Sequence, residues 1–589
     1  MNTNDQLIKK TFIGIWIVTG TSMLFGIACV MIDAIMTGQF LGSKAVAATG
    51  LVQPVTILIN MVGGLFGPGL AVVCTRYMGM AKKDKVNQVF SLVMTVLFIL
   101  MVVLICLLFV FSPAIASTLG ARSDDPDIIQ MAADYLRGFA FAALPMCINM
   151  SLAELMMLDN DRQRAMGSML ATLLCDLLFD YLNVAVFYGG MFGMAIATAL
   201  SNVAGLLVVL SHFTKKERVL RYSFPKMDMG ELKEVILCGI PNAVSLGSLA
   251  LKFIFFNTFL LTIASEVELS GLSAACSFFS IMNAVGLGLF NTTSSLASLL
   301  FGEGDGNSIV RTYKYSKKII IRLFGVLMVI LLLLANFVAR GFLDPSATKE
   351  LLQAARFIRF MAVQYFFFAL SYTLSGVYQS IMRNGYSYLL VALREGILPV
   401  VCCLALGNIF GISGFEMGFI VSGVLMLIIT LLLPSAVNKR FSLKAEDMVL
   451  MPEGITPRED ELFEASVGSM DQVSAVSEQA REFCLKRNMK KRDANMTALF
   501  LEENIINILT HGSDSGKPIN VDVRVINRND NLIIRFRDNG RPFDPVEWFE
   551  KNHPEDPTKG LGIRIIVGLA TDVKYIPAMG LNNLVLTLF

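Results

Sequence analysis

Only 16% of the 589 residues are charged, against roughly 25% in an ordinary soluble domain. Hydrophobic residues make up 54%, and the mean hydropathy is +0.62. So much apolar surface cannot be hidden in a water-soluble core. Net charge is nearly absent as well, at +2, which removes any global argument for a nucleic-acid partner. The ten cysteines form no metal-ligand pattern: nine lie in apolar segments, and the one close pair, Cys402 and Cys403, is adjacent and lacks ligand spacing. They read as small residues packed between helices. No cleavable leader is evident, because the polar start MNTNDQLIKK runs into an apolar stretch longer than a signal core. A Walker loop is missing too. GSDSGKP at 512–518 lacks both the four-residue gap and a Ser or Thr after the Lys, so an ABC-type ATP engine is unsupported.

What is present is a series of windows able to cross a bilayer, each needing about 20 apolar residues. They fall near 12–36, 46–75, 87–112, 128–157, 166–187 and 191–213, then near 235–262, 269–300, 315–340, 351–380, 387–407 and 412–435. Alternate connections are basic: Lys82, Lys83 and Lys85; Arg162 and Arg164; Lys215, Lys216, Arg218 and Arg221; Arg311, Lys314, Lys317 and Lys318; Arg383; Lys439 and Arg440. The other series holds the acidic SDDPD and ASEVELS, so the positive-inside rule places both termini in the cytoplasm. The two sets of spans resemble each other. VGGLFGPG from Val62 and VGLGLFNT from Val285 each precede a glycine (Gly79, Gly302) and a basic loop, and Gly190 and Gly193 match Gly411 and Gly414. Such symmetry suits two related bundles with a substrate path between them.

Charge inside a span needs a reason, since a carboxylate at the bilayer centre costs about 2.5–3.5 kcal/mol on insertion scales. Asp33 lies late in the first span, and Asp176 and Asp180 share one helical face in LLCDLLFDYLN, where they could hold a cation or share a proton. Hydrogen bonding to neighbouring hydroxyls is the alternative for each. Lys252 is also deep, and Arg394 with Glu395 lies in the eleventh span, where a local ion pair or snorkelling competes with function.

The run MIDAIMTGQFLGSKAVAATGL, followed by CTRYMGMAKKDKV, resembles the multidrug and toxic compound extrusion (MATE) transporters over about residues 10–436. The resemblance implies twelve helices in two six-helix bundles, with substrate exit coupled to H⁺ or Na⁺ entry. Asp33 takes the place of the family's first-helix Asp and Asp180 that of its fifth-helix Asp. Asp176 stands where the family often has Asn, which leaves the coupling ion open.

After Lys444 the texture becomes that of a soluble domain. In ALFLEENIINILTHG the residues Glu503, Asn507 and His511 recur every four positions on one helical face. A carboxylate and an amide one turn apart can activate a nucleophile and hold Mg²⁺ against phosphate oxygens. Two strands then lead to DNGRPFDP and to TKGLGIRIIVGLA. Asp538 beside Gly540 can receive an adenine amino group, and Gly560 and Gly562 leave amides free for phosphates. Together these resemble the three boxes of the GHKL ATP-binding superfamily, most closely the anti-sigma-factor serine kinases, over about 455–589. The resemblance implies Glu503 as catalytic base, Asn507 as the Mg²⁺ ligand, Asp538 as adenine reader, and Gly540, Gly560 and Gly562 as nucleotide-loop glycines, with His511 in packing or lid contact. No phospho-acceptor histidine helix is visible.

The expected chain is thus a polytopic α-helical membrane protein of about twelve transmembrane helices in two six-helix bundles, plus a C-terminal α/β sandwich of the GHKL (Bergerat) type. The expected domains are a transporter at 1–440, with repeats at about 10–213 and 235–436, a linker at 441–459, and a cytoplasmic ATP-binding domain at 460–589. The expected function is an H⁺- or Na⁺-coupled antiporter in the cell membrane, exporting amphipathic cations. Its ATP- and Mg²⁺-binding domain would regulate transport or act on a protein partner as a serine kinase or ATPase. A membrane-anchored signalling protein and a lipid or glycan flippase are the alternatives.

Overall fold

The computed structural model describes residues 3–119, 125–215, 218–225, 227–263, 266–341, 343, 347–512, 518–528, 531–552 and 561–588. Six helices form the first bundle: α1 (Thr3–Met36), α2 (Ser43–Gly79), α3 (Lys83–Leu119), α4 (Pro126–Leu158), α5 (Arg162–Leu182) and α6 (Gly190–Leu210). The second comprises α7 (Met229–Ile263), α8 (Glu266–Gly302), α9 (Gly306–Arg340), α10 (Thr348–Ser380), α11 (Asn384–Ala392) and α12 (Leu398–Val437). Among the described residues, eleven helices are long and apolar enough to cross a membrane, one fewer than the sequence windows. The difference lies at Asn384–Val437, a run of 54 residues joined through a π-helical turn at Leu393–Ile397. Gly411 breaks that run with φ +62°, a conformation open to glycine, so it contains two spans. The first repeat turns at the matching place, through Tyr188 (φ +54°) and Gly190 (φ +58°).

The bundles meet along α2, which packs on α7 and α8. Glycines allow this approach: a Cβ on Gly239 would run into the carbonyl oxygen of Leu65, and one on Gly69 into that of Val235. At the end of the seam Gly79 and Gly302, paired by the repeat, face each other, each backing onto the other helix's backbone. Ion pairs flank it, Arg76 with Glu234 and Lys85 with Glu231 (2.6 Å). Gly239→Ala is expected to prise this end open, since overpacking a tight contact costs about 1–3 kcal/mol. Cys238, fully buried beside it, supplies the readout: its labelling by maleimide, followed by mass spectrometry, should quicken about tenfold. An unchanged rate would show that the seam does not need its glycines.

The segment after α12 is tied down. Its short helix α13 (Ala445–Met448) is held by Tyr378, whose hydroxyl donates to Met448 O (2.8 Å), and by a Lys314–Glu446 pair (2.6 Å). Beyond it lies an antiparallel sheet of β1 (Leu462–Val467), β2 (Val521–Arg528), β3 (Asn531–Asp538), β4 (Asp572–Ala578) and β5 (Leu581–Thr587), in the order β1-β2-β3-β5-β4. Helices α14 (Val473–Lys486) and α15 (Lys491–His511) cover one face, and α16 (Pro545–Asn552) and α17 (Leu561–Leu569) complete the domain. Alternation along the strands sorts the side chains. Val521, Val523, Val525, Ile534, Phe536 and Leu586 form the core beneath the helices. Asp522, Arg524, Arg535, Arg537 and Asn583 occupy the opposite face, and all five are buried.

Candidate functional site

Two places concentrate chemistry. In the first bundle α1 brings Asp33 to Asp176 and Asp180 of α5, with carboxylate oxygens within 4.8 Å of one another. Asp176 and Asp180 are 1% and 0% exposed. Ser201 of α6 donates to Asp176 (2.8 Å), whereas neither oxygen of Asp180, nor Oδ1 of Asp33, has a protein partner. Two unit charges 4 Å apart repel by about 4 kcal/mol at an effective dielectric of 20. Three ionised carboxylates at this spacing therefore demand a cation, either a proton or a metal ion. Spacing brought out the acids in the sequence, while Ser201, a lone hydroxyl on another helix, gave no signal. Glu154 of α4 was also missed; it lines a small cavity between the bundles with Thr19, Asn291 and Gln379.

In the soluble domain Asp538 ends β3 on the helix side of the sheet. Asn582 Nδ2 (2.7 Å) and the Gly540 amide (2.8 Å) donate to its Oδ1. Burial pushes this carboxyl up to about 6, against the pull of those two donors. Asn582, which sequence reasoning did not single out, thus orients the acid. Glu503 and Asn507 are half-buried along α15 and have no hydrogen-bond partner among the described residues. His511 is exposed at the helix end. Gly540 lies against Gly512, where a Cβ would sit 3.3 Å from its carbonyl oxygen. Gly562 falls in the first turn of α17, and Gly560 lies outside the described residues. A buried acceptor for an amino group on β3, and an uncommitted amide and carboxylate on α15, are donor types that fit a nucleotide with its metal. Asn507 would hold Mg²⁺ and Asp538 the base.

Residues 19–182 and 241–401 match the MatE family model, and residues 468–588 match the model of the histidine kinase-like ATPase domain. The chain belongs to the MatE family. It is 22% identical over 440 residues to the multidrug export protein MepA of Staphylococcus aureus (strain MRSA252), a match covering 72% of this chain and 94% of that protein. It is 21% identical over 329 residues to the probable multidrug resistance protein YoeA of Bacillus subtilis (strain 168), covering 54% and 70%. Among solved structures, MATE in complex with MaD3S superposes with a TM-score of 0.67 at 21% identity, over 73% of this chain and 97% of that one. The outward-facing conformation of a multidrug resistance MATE transporter gives 0.66 at 20%, over 72% and 94%. These likenesses carry the fold of a multi-pass membrane protein.

The ATPase-like sheet sits on the MatE bundles, over the seam. Arg537 pairs with Glu303 and with Asp305 (2.8 Å) in the α8–α9 loop, and Arg524 donates to Gly304 O (3.3 Å). Arg535 donates to Gly79 O (2.7 Å) at the end of α2. The β4–β5 turn reaches the α4–α5 loop, where the Met579 amide donates to Leu158 O (3.0 Å) and Arg162 donates to Met579 O (2.7 Å). Loops from both MatE bundles thus hold a single sheet. Burial opposes ionisation of Asp305, yet Arg524 and Arg537 hold its carboxyl well below the usual range. Arg535, without a carboxylate of its own, is lowered by burial to about 10.

Proposed function

We propose that the chain exports amphipathic, cationic small molecules from the cell in exchange for H⁺ or Na⁺, and that its C-terminal domain binds ATP and Mg²⁺ to adjust export. The observation that carries the transport half is the triad of Asp33, Asp176 and Asp180, closely spaced acids that accept a cation or a proton and release it as the path alternates. MepA and YoeA, multidrug proteins by name, support the substrate class. Basic connections such as that at Arg162 contact the ATPase-like domain, which supports a cytoplasmic placement of that side.

For the domain, ATP bound at Asp538 and Asn507 would supply phosphate charge and a phosphoryl group. Glu503 accepts the proton of an attacking hydroxyl, from water or a partner's serine. The docked sheet favours regulation: it bridges both bundles where they close, so any change in its fit alters the balance between open and closed forms.

Full-length protein in proteoliposomes tests both halves. A proton or sodium gradient should drive ethidium transport, ATP with Mg²⁺ should alter its rate, and ATP alone should drive none. Accumulation by ATP without a gradient would overturn the coupling scheme. Asp538→Ala should weaken binding of a fluorescent ATP analogue to the same protein at least tenfold, because a buried charged acceptor contributes about 1.5–3 kcal/mol. Unaltered affinity would place the nucleotide elsewhere.

A further inference from the structure

The second bundle carries an interior charge of the opposite sign. Lys252, on α7, is 8% exposed and lines a cavity walled by Phe253, Phe256, Phe279 and Tyr365. It stands eleven residues before the end of α7 at Ile263, about 16 Å along the axis. That is farther than its four-carbon stem can span to reach water at the helix end. No described residue bonds or pairs with it.

The buried acids of this bundle and its loops are all engaged elsewhere. Glu395 is held by Arg394 (2.8 Å) and Tyr372 (3.3 Å), and Glu416 by Arg356 (2.5 Å) and Gln353 (2.8 Å). Glu231 pairs with Lys85, and Glu303 and Asp305 with Arg537. Arg394 is itself fully buried over the Tyr372 ring (3.6 Å), with Nη2 unpartnered. The one Tyr372 hydroxyl hydrogen lies nearer Asn283 Oδ1 (2.7 Å) than Glu395, so it is shared in favour of the amide, and Asn283 lines the same cavity as Lys252. This turns the Asn283 NH₂ into a second donor there.

Repeat symmetry makes the contrast specific. The offset of 223 residues between Val62 and Val285 carries Asp33 to position 256 and Asp176 to position 399. Lys252 and Glu395 lie one helical turn before those places, and Arg394 one residue further. Corresponding regions of the two bundles therefore bear acids in one and uncompensated base in the other.

We propose that the cavity at Lys252 is a subsite for a carboxylate or similar anionic group on an amphipathic molecule, held by the Lys252 ammonium and the Asn283 amide against aromatic walls. An isolated ammonium in an apolar cavity is costly until a negative charge meets it. The subsite extends the exported class to compounds bearing an anionic group as well as a cationic one, and to that extent it rests on the export reading. A bilayer lipid could present the same chemistry.

Rhodamine B and its ethyl ester, rhodamine 3B, differ only in the free carboxylate, whereas rhodamine 6G is an ester with other amine and ring substituents. Anisotropy titrations on full-length protein in neutral detergent should show a preference for rhodamine B over rhodamine 3B of roughly tenfold, the gain of one charge-assisted bond. Lys252→Met should erase the preference by lowering rhodamine B affinity roughly tenfold, and Lys252→Arg should keep it. Equal ratios in wild type and K252M would overturn the subsite. Added phosphatidylglycerol that displaces rhodamine B from wild type would identify a lipid as the source of the anion, whereas no displacement would assign the anion to the solute; both keep the subsite. Gradient-driven transport of rhodamine 6G reads the export function separately, so its failure is distinguishable from loss of the binding ratio.

Discussion

Gradient-driven export, on the proposed scheme, should fall by about two orders of magnitude when Asp180 is replaced by Asn. Both carboxylate oxygens of Asp180 are buried without a hydrogen-bond donor, whereas Asp176 receives Ser201 at one of its two oxygens. On the proposed coupling scheme the ion supplies what the other groups do not, so Asp180 should matter most of the three. An amide preserves shape and removes charge, and an attraction of about 4 kcal/mol at 4 Å corresponds to well over a hundredfold in ion affinity. Relief of repulsion among the acids should leave D180N at least as heat-stable as wild type, which separates lost coupling from lost folding. The order of loss should be D180N, then D33N, then D176N, measured as ethidium transport under proton and sodium gradients. Undiminished coupling in D180N would remove the triad from the mechanism.

Arg537→Met should release the soluble domain from the bundles. The substitution keeps bulk but strands Glu303 and Asp305, and breaking a buried ion pair costs about 3–5 kcal/mol. Undocking then becomes more than a hundredfold easier. Hydrogen exchange should report it as lost protection around residues 302–306 and along β2 and β3, with the helix-side core intact. The sign of the pH dependence follows from Asp305, whose native carboxyl is held below its unfolded value of about 3.9. Its contribution is fully present above that value and fades only as pH falls through the lower, native one. Asp522 on the same face works the other way, because burial pushes its carboxyl up to about 6; docking of the wild type should weaken as pH rises from about 4 to 6 and be flat between about 7 and 8. Protection in R537M equal to wild type would show that the sheet is held without the Arg537 ion pairs.

The spans were legible because hydrophobic length is a coarse signal, and the Gly411 break because it recurs at Gly190. The acids of the first bundle stood out because charge inside an apolar run is rare. The docking face was invisible for the opposite reason. In NLIIRFRD, arginines alternate with apolar residues exactly as they would on a half-buried strand facing water. Only the fold shows that the polar side of this strand is covered, by loops more than 200 residues away in sequence. Asn582 was likewise hidden, since an amide near a strand start reads as a turn residue until its register against Asp538 is known. Lys252 could be seen from its depth in the span, but its lack of an acid partner needed three dimensions.

Arg537 and Asp538 are consecutive on one strand, and the pleat sends the first toward the bundles and the second toward the proposed nucleotide site. Influence through such a joint runs in both directions. If ATP favours one posture of the bundles by some factor, that posture favours ATP by the same factor, as thermodynamic reciprocity requires. A membrane gradient that changes how often the bundles stand closed would then change how much nucleotide the domain holds, making the domain a gauge of transport activity as well as its governor.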